Sequence, residues 1–182
     1  MKVFLVIMMV SSMVMAKHEH REHSAHKHGA GTLAIAFDGA KGQLQLQVPG
    51  ESIFGFEYEA VSEKDKKIQK DMIEKLQSKI SEMVVFEAAS ECKFAGGKYE
   101  VKSEKKVEAH KKGGKQVKHK SEHSDVMMTY DVVCAKSPVG TELTFNFQKH
   151  FPRIHDLDVS VIADAVQKSV EAKANGTKLL LK

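Results

Sequence analysis

From Thr32 onward, apolar and polar residues alternate along the chain. Leu33, Ile35 and Phe37 share one face, Asp38-Gly39-Ala40-Lys41-Gly42 makes a turn, and Leu44, Leu46 and Val48 continue on the next run before Pro49-Gly50. A period of two sets one row of side chains against a core and the other in water, which predicts a β-hairpin in a half-solvated antiparallel sheet. The pattern returns at Val126, Met128, Tyr130 and Val132 up to Cys134, at Leu143, Phe145 and Phe147, at Leu157, Val159 and Val161, and at Leu179-Leu180-Leu181. Cys92-Lys93-Phe94 and Lys98 to Lys102 flank Gly96-Gly97, which predicts a second hairpin. Ile53 to Tyr58 is apolar and aromatic and is expected to pack as an irregular loop over the core. Ala163 to Asn175 fits a short helix or polar strands equally.

One segment has a different period. Ile68, Met72, Leu76, Ile80, Met83 and Val84 form a single apolar stripe among Lys, Asp, Glu and Gln, and Ser62 with Asp65 resembles a capping box with Asp in place of Glu. An amphipathic helix of this kind is core packing. With six to eight strands against one main helix, the expected class is α+β, an antiparallel sheet covered by that helix. At 182 residues, 42% of them hydrophobic, the chain suits one domain over residues 32–182.

The N-terminus reads as targeting rather than fold. Met1-Lys2 is followed by an apolar run from Val3 to Met15, and Val14-Met15-Ala16 offers small residues at a cleavage site. That is the pattern of a secretory signal peptide over residues 1–16, and the run is too short to span a bilayer. No second long apolar stretch follows, so no transmembrane segment is expected after cleavage. Export reaches an oxidising compartment, where Cys92 and Cys134, the only two cysteines, are expected to form a disulfide. A thiolate metal site is the alternative, weakened by the lack of CxxC spacing.

Residues 17–31 (KHEHREHSAHKHGAG) hold no aliphatic side chain larger than Ala and read as a flexible His-rich arm. Residues 103–124 form a polar, Lys-rich insert with Gly-Gly at its middle, expected as a mobile loop. The histidines gather in these two stretches: His18, His20, His23, His26 and His28 in the arm, and His110, His119 and His123 in the insert, eight of the ten in the chain. Neutral imidazole offers a lone pair of borderline softness that suits Zn²⁺, Cu²⁺ and Ni²⁺. His-x-His at 18–20 and at 26–28 places both rings on one side of an extended chain. Flexible His tracts make exchangeable sites, suited to capture and hand-over. Glu19, Glu22, Glu122 and Asp125 are carboxylates within reach in sequence. His150 and His155 flank Phe151-Pro152 and are possible additional ligands, near Asp156 and Asp158.

Other function classes are poorly supported. There is no HExxH, no GxSxG and no glycine-rich phosphate loop, so no enzyme is expected. The charge of +4, from 28 Lys+Arg against 24 Asp+Glu, is too small to indicate a nucleic-acid binder. Lys105, Lys106, Lys111, Lys112, Lys115, Lys118 and Lys120 leave open a cell-envelope module that binds anionic surfaces.

The order of features resembles a known family. His26-Lys27-His28-Gly29 precedes the first strand, and Pro49-Gly50-Glu51-Ser52-Ile53-Phe54-Gly55-Phe56-Glu57 precedes the helix. A His-containing insert lies between the two Cys, followed by Tyr130-Asp131-Val132-Val133-Cys134, Phe151-Pro152 and Leu157-Asp158-Val159. This is similar to the ZrgA-like family of periplasmic zinc-binding proteins of Gram-negative bacteria. The resemblance implies Zn²⁺ as the ion, a periplasmic location, a role in zinc uptake, and cooperation with the solute-binding protein of a zinc ABC importer. His26 and His28 match the family's arm, and the insert histidines match by region. The insert departs from the family in being Lys-rich, where members carry dense His and Asp.

Overall fold

A computed structural model describes residues 28–112 and 115–182, with side chains for all of these except 104–122. The expected signal segment and the arm as far as residue 27 lie outside the described residues. β1 (Ala30–Asp38) and β2 (Lys41–Pro49) form the hairpin that the alternation predicts, paired from Thr32↔Gln47 to Asp38↔Lys41. α1 (Gly50–Phe54) is a short helix where an irregular loop was expected, and the irregular backbone begins only after it.

α2 (Glu63–Met83) is the predicted helix, and the Ser62 side chain accepts the Asp65 backbone N–H at 3.1 Å. This cap satisfies one of the donors that every helix start leaves unpaired. Ile73, Leu76, Ile80 and Met83 are buried, with Ile68 and Met72 packed at the edge of the core. Val84, counted in the helical stripe, instead starts β3 (Val84–Phe86).

β4 (Lys93–Lys112) and β5 (Lys115–Val133) make one long antiparallel hairpin, which corrects two expectations. Gly96-Gly97 is not a hairpin turn but a bulge inside β4, where the register shifts between Ala95 and Lys98. The extra residues are absorbed in one strand while its partner β5 runs on. The stretch 103–124, expected as a loop, continues the ladder from Ser103↔Ser124 to Lys112↔Lys115. Backbone hydrogen bonds hold such a ribbon without an apolar period, which is why no alternation announced it.

The chain then passes through β6 (Glu142–Phe145), α3 (Phe147–His150), β7 (Asp156–Ala163), β8 (Val166–Ala172) and β9 (Thr177–Leu180). Phe147, expected on a strand, opens α3 because pairing ends at Phe145. Residues 163–175, undecided between helix and strand, contain β8.

These strands form two sheets rather than one. The larger has the order β4-β5-β2-β1-β7-β8 and the smaller β3-β6-β9. Among the described residues all strand pairings are antiparallel except β1 with β7, which run parallel. Leu33, Leu44, Leu46, Met128 and Leu157 turn inward from the larger sheet and are fully buried. α2 lies against that inner face, where the Tyr130 hydroxyl donates to the Leu76 carbonyl at 3.3 Å. Burial pushes the Tyr130 phenol well above its ordinary pKa, so it stays a neutral donor. The Cys92–Cys134 disulfide is present and joins the segments entering β4 and leaving β5. Among the described residues, no helix is long and apolar enough to cross a membrane.

Candidate metal centre

The topology brings several distant residues to one end of the larger sheet. β1 and β7 are parallel and pair from Ala30↔Asp156, so their starts lie side by side. β2 runs back antiparallel to β1 and delivers Pro49, then α1, to that same end. β5 is antiparallel to β2, with Pro49↔Asp125, so His123 sits at the point where the ribbon leaves the sheet. His28, Glu51, Glu57, His123, Arg153 and His155 therefore come from five separate chain segments to one rim.

Glu57 is the centre of this rim. Its neighbours Phe56 and Tyr58 stack on each other at 4.7 Å, and Phe56 packs on Phe54 at 5.7 Å. In an extended segment this directs the residue between them to the opposite side, which is where Glu57 meets the imidazoles. The turn before it comes from Gly55, which caps α1 in the left-handed region (φ +87°) and donates to the Glu51 carbonyl at 2.9 Å.

The Glu57 side chain is 11% exposed, with Oε2 2.6 Å from His123 Nδ1 and Oε1 3.5 Å from His28 Nδ1. A carboxylate acceptor at 2.6 Å requires the hydrogen of His123 to sit on Nδ1, which leaves the ring lone pair on Nε2. Glu57 Oε1 is buried and has no hydrogen-bond partner among the described residues. A buried carboxylate oxygen left in that state is costly unless a proton donor or cation satisfies it. His28 Nδ1 also lies 3.4 Å from Glu51 Oε2, and Arg153 Nε lies 3.9 Å from Glu51 Oε1.

The candidate ligands read from sequence divide into three groups. His28 and His123 are brought together; His18, His20, His23 and His26 lie outside the described residues. The side chains of His110 and His119 are also outside them, but their places in the ladder are defined: His119 is opposite Glu108, His123 is opposite Glu104, and His110 is opposite Val117. A period of two puts positions 110, 119 and 123 on one face of the ribbon, together with 104 and 108. His155 reaches the same rim, its backbone N–H donating to the Gly29 carbonyl at 3.0 Å. His150 does not join them; its Nε2 lies 3.2 Å from Glu82 Oε2 on α2, beside Lys79 and Lys149. The Lys79 ammonium holds the Glu82 carboxyl below its ordinary pKa, with smaller help from His150 and Lys149.

Asp125, another carboxylate noted in the sequence, accepts from Gln47 Nε2 at 2.9 Å. Spacing alone missed Glu57 and Glu51. The only sequence signal that included them was the Gly-Phe-Glu segment and its approach. Among the described residues, no group of three or more His, Cys, Asp and Glu stands in a metal-holding arrangement. The rim is thus two imidazoles gathered on one carboxylate, with an outer carboxylate held toward Arg153. A cleft of about 570 Å³ between α2 and β4 is lined by Gln77, Phe94, Gly97 and Tyr130 among others, with no His or acid, and has no part in this chemistry.

A family model described as ZrgA family zinc uptake protein matches residues 25–181. No curated protein matches the chain.

Proposed function

Because the chain belongs to the ZrgA family of zinc uptake proteins, we propose that it captures Zn²⁺ in the periplasm through His28, His123 and the His-rich arm, and assists its delivery for uptake. The observation that carries this reading is the meeting of His28 and His123 on Glu57, in a family whose name is zinc uptake. A histidine whose Nδ1 hydrogen goes to a carboxylate is in the tautomer that ligates through Nε2, and the carboxylate raises its basicity. His26, two residues before His28, and the remaining arm histidines supply further nitrogens. Two imidazoles on one carboxylate, short of a full ligand set among the described residues, suit an ion that must be released again.

The ribbon histidines His110 and His119 extend the same chemistry along the face that begins at His123. A soluble exported form, removal of residues 1–16, and hand-over to the solute-binding protein of a zinc ABC importer complete the proposal. No catalytic step is assigned. The family is one of zinc uptake rather than catalysis.

Calorimetric titration with Zn²⁺ of the chain from Lys17, beside one lacking residues 18–28, tests this. The deletion is expected to lower both stoichiometry and affinity. Unchanged binding would remove the arm from capture. A second reading, binding of the ribbon to anionic surfaces, rests on its lysines, which the register divides between both faces: positions 105, 111, 118 and 120 lie opposite the histidines, and 106, 112 and 115 lie with them. It predicts metal-independent, strongly salt-dependent adsorption to anionic vesicles.

A further inference from the structure

We propose that His155 is a positioning residue of the zinc site, its ring serving as the missing side chain of Gly29 and thereby fixing the backbone that carries His28. The proposal rests on the reading of His28, Glu57 and His123 as the capture site.

Gly29 sits in the left-handed region (φ +77°), and a Cβ built on it would lie 2.0 Å from His155 Cε1 and 2.5 Å from both ring nitrogens. The Cε1 edge of the imidazole thus occupies the volume that any side chain at position 29 would claim. The two residues are held in this contact by the backbone. The Gly29 carbonyl accepts from His155 N at 3.0 Å and from Asp156 N at 3.1 Å, so the peptide after Gly29 is clamped by two donors. The clamp is the first step of the parallel β1–β7 ladder, which begins at Ala30↔Asp156.

His28 is the last residue before this clamp, and its side chain is 64% exposed. Its ring nitrogen Nδ1 lies 3.4 Å from Glu51 and 3.5 Å from Glu57. Packing of Gly29 against His155 therefore decides where the His28 ring sits when an ion arrives. A ligand placed in advance loses less conformational freedom on binding. The role is steric, so a flat ring without nitrogen should fill it.

The test measures Zn²⁺ affinity of the full chain by chelator competition in His28→Ala, His155→Ala and His155→Phe, with Co²⁺ absorption spectra at one equivalent as a report on the ligand set. His28→Ala and His155→Ala are each expected to weaken the tightest Zn²⁺ site by about tenfold or more, the range of outer-shell substitutions. His155→Phe should recover most of that loss. The Co²⁺ bands should shift in His28→Ala and keep their positions in both His155 variants. Wild-type affinity in His155→Ala overturns the positioning role, and so does failure of Phe to rescue. A Co²⁺ shift in the His155 variants would make His155 a ligand instead. Wild-type affinity in His28→Ala would sink the capture site itself, a result separate from any His155 outcome.

Discussion

His123 Nδ1 and Glu57 Oε2, 66 residues apart in the chain, lie 2.6 Å from each other at the end of the larger sheet. One partner comes from a loop anchored by stacked aromatics and the other from the strand on which the ribbon departs. Replacing Glu57 by Ala should leave both imidazoles without their orienting carboxylate. Zn²⁺ affinity is then expected to fall roughly 10- to 100-fold. Chelator competition measures this, and near-wild-type affinity would exclude Glu57 from the site.

Zinc binding should weaken as pH falls. Ligation needs neutral imidazole, and a free imidazole takes up its proton near pH 6.5. Protons then compete with the ion, so affinity measured between pH 7.5 and 5 should drop steadily. A flat profile would contradict ligation by histidine.

The Cys92–Cys134 disulfide spans 42 residues and encloses the whole ribbon. On the chain-entropy model a loop of this length contributes about 4 kcal/mol through the unfolded state. Cys92→Ala with Cys134→Ala should lower the unfolding free energy by an amount of that order in urea denaturation. A change well under about 1 kcal/mol would show that the reduced unfolded chain is already as restricted as the oxidised one.

Asp164, in the turn between β7 and β8, ties two other connections to its own. Oδ1 accepts from the Gly39 N–H at 3.0 Å in the β1–β2 turn, and Oδ2 accepts from Ser137 Oγ at 2.8 Å. The Ser137 hydrogen bond, with that from Gly39, holds the Asp164 carboxyl below its ordinary pKa. A carboxylate with a depressed folded pKa adds stability above its unfolded value, near 3.9, and loses it as pH falls through the folded value. Asp164→Asn should therefore be less stable at pH 7 and show a shallower loss of stability below about pH 4. Thermal unfolding across that range decides it; an unchanged acid limb would refute the linkage.

Much of the fold is legible locally. The alternation at Leu33, Ile35 and Phe37 and at Val126, Met128 and Tyr130 is the burial pattern itself, because a strand buries every second residue. Ser62 announced the start of α2 because a hydroxyl at that position satisfies a helix N–H. The ribbon escaped notice because both of its faces are polar, so its pairing leaves no apolar trace. The turn expected at Gly96-Gly97 became a bulge for a similar reason: glycine pairs mark unusual backbone, and only the partner strand decides whether the chain reverses or continues.

The candidate site divides in the same way. The sequence by itself determined that imidazole is concentrated in two polar stretches, that two cysteines are available to one another, and that an amphipathic helix must cover a sheet. These follow from composition and short-range period, which act between near neighbours. Only the tertiary structure decided that His28 and His123 would meet, that Glu57 would be the acid between them, and that His155 would close on Gly29. Those contacts depend on the parallel pairing of β1 with β7 and on the register of β5 against β2. Register between distant strands is set by how the whole core packs, and a single glutamate in a loop carries no periodic signal of the partners it will face.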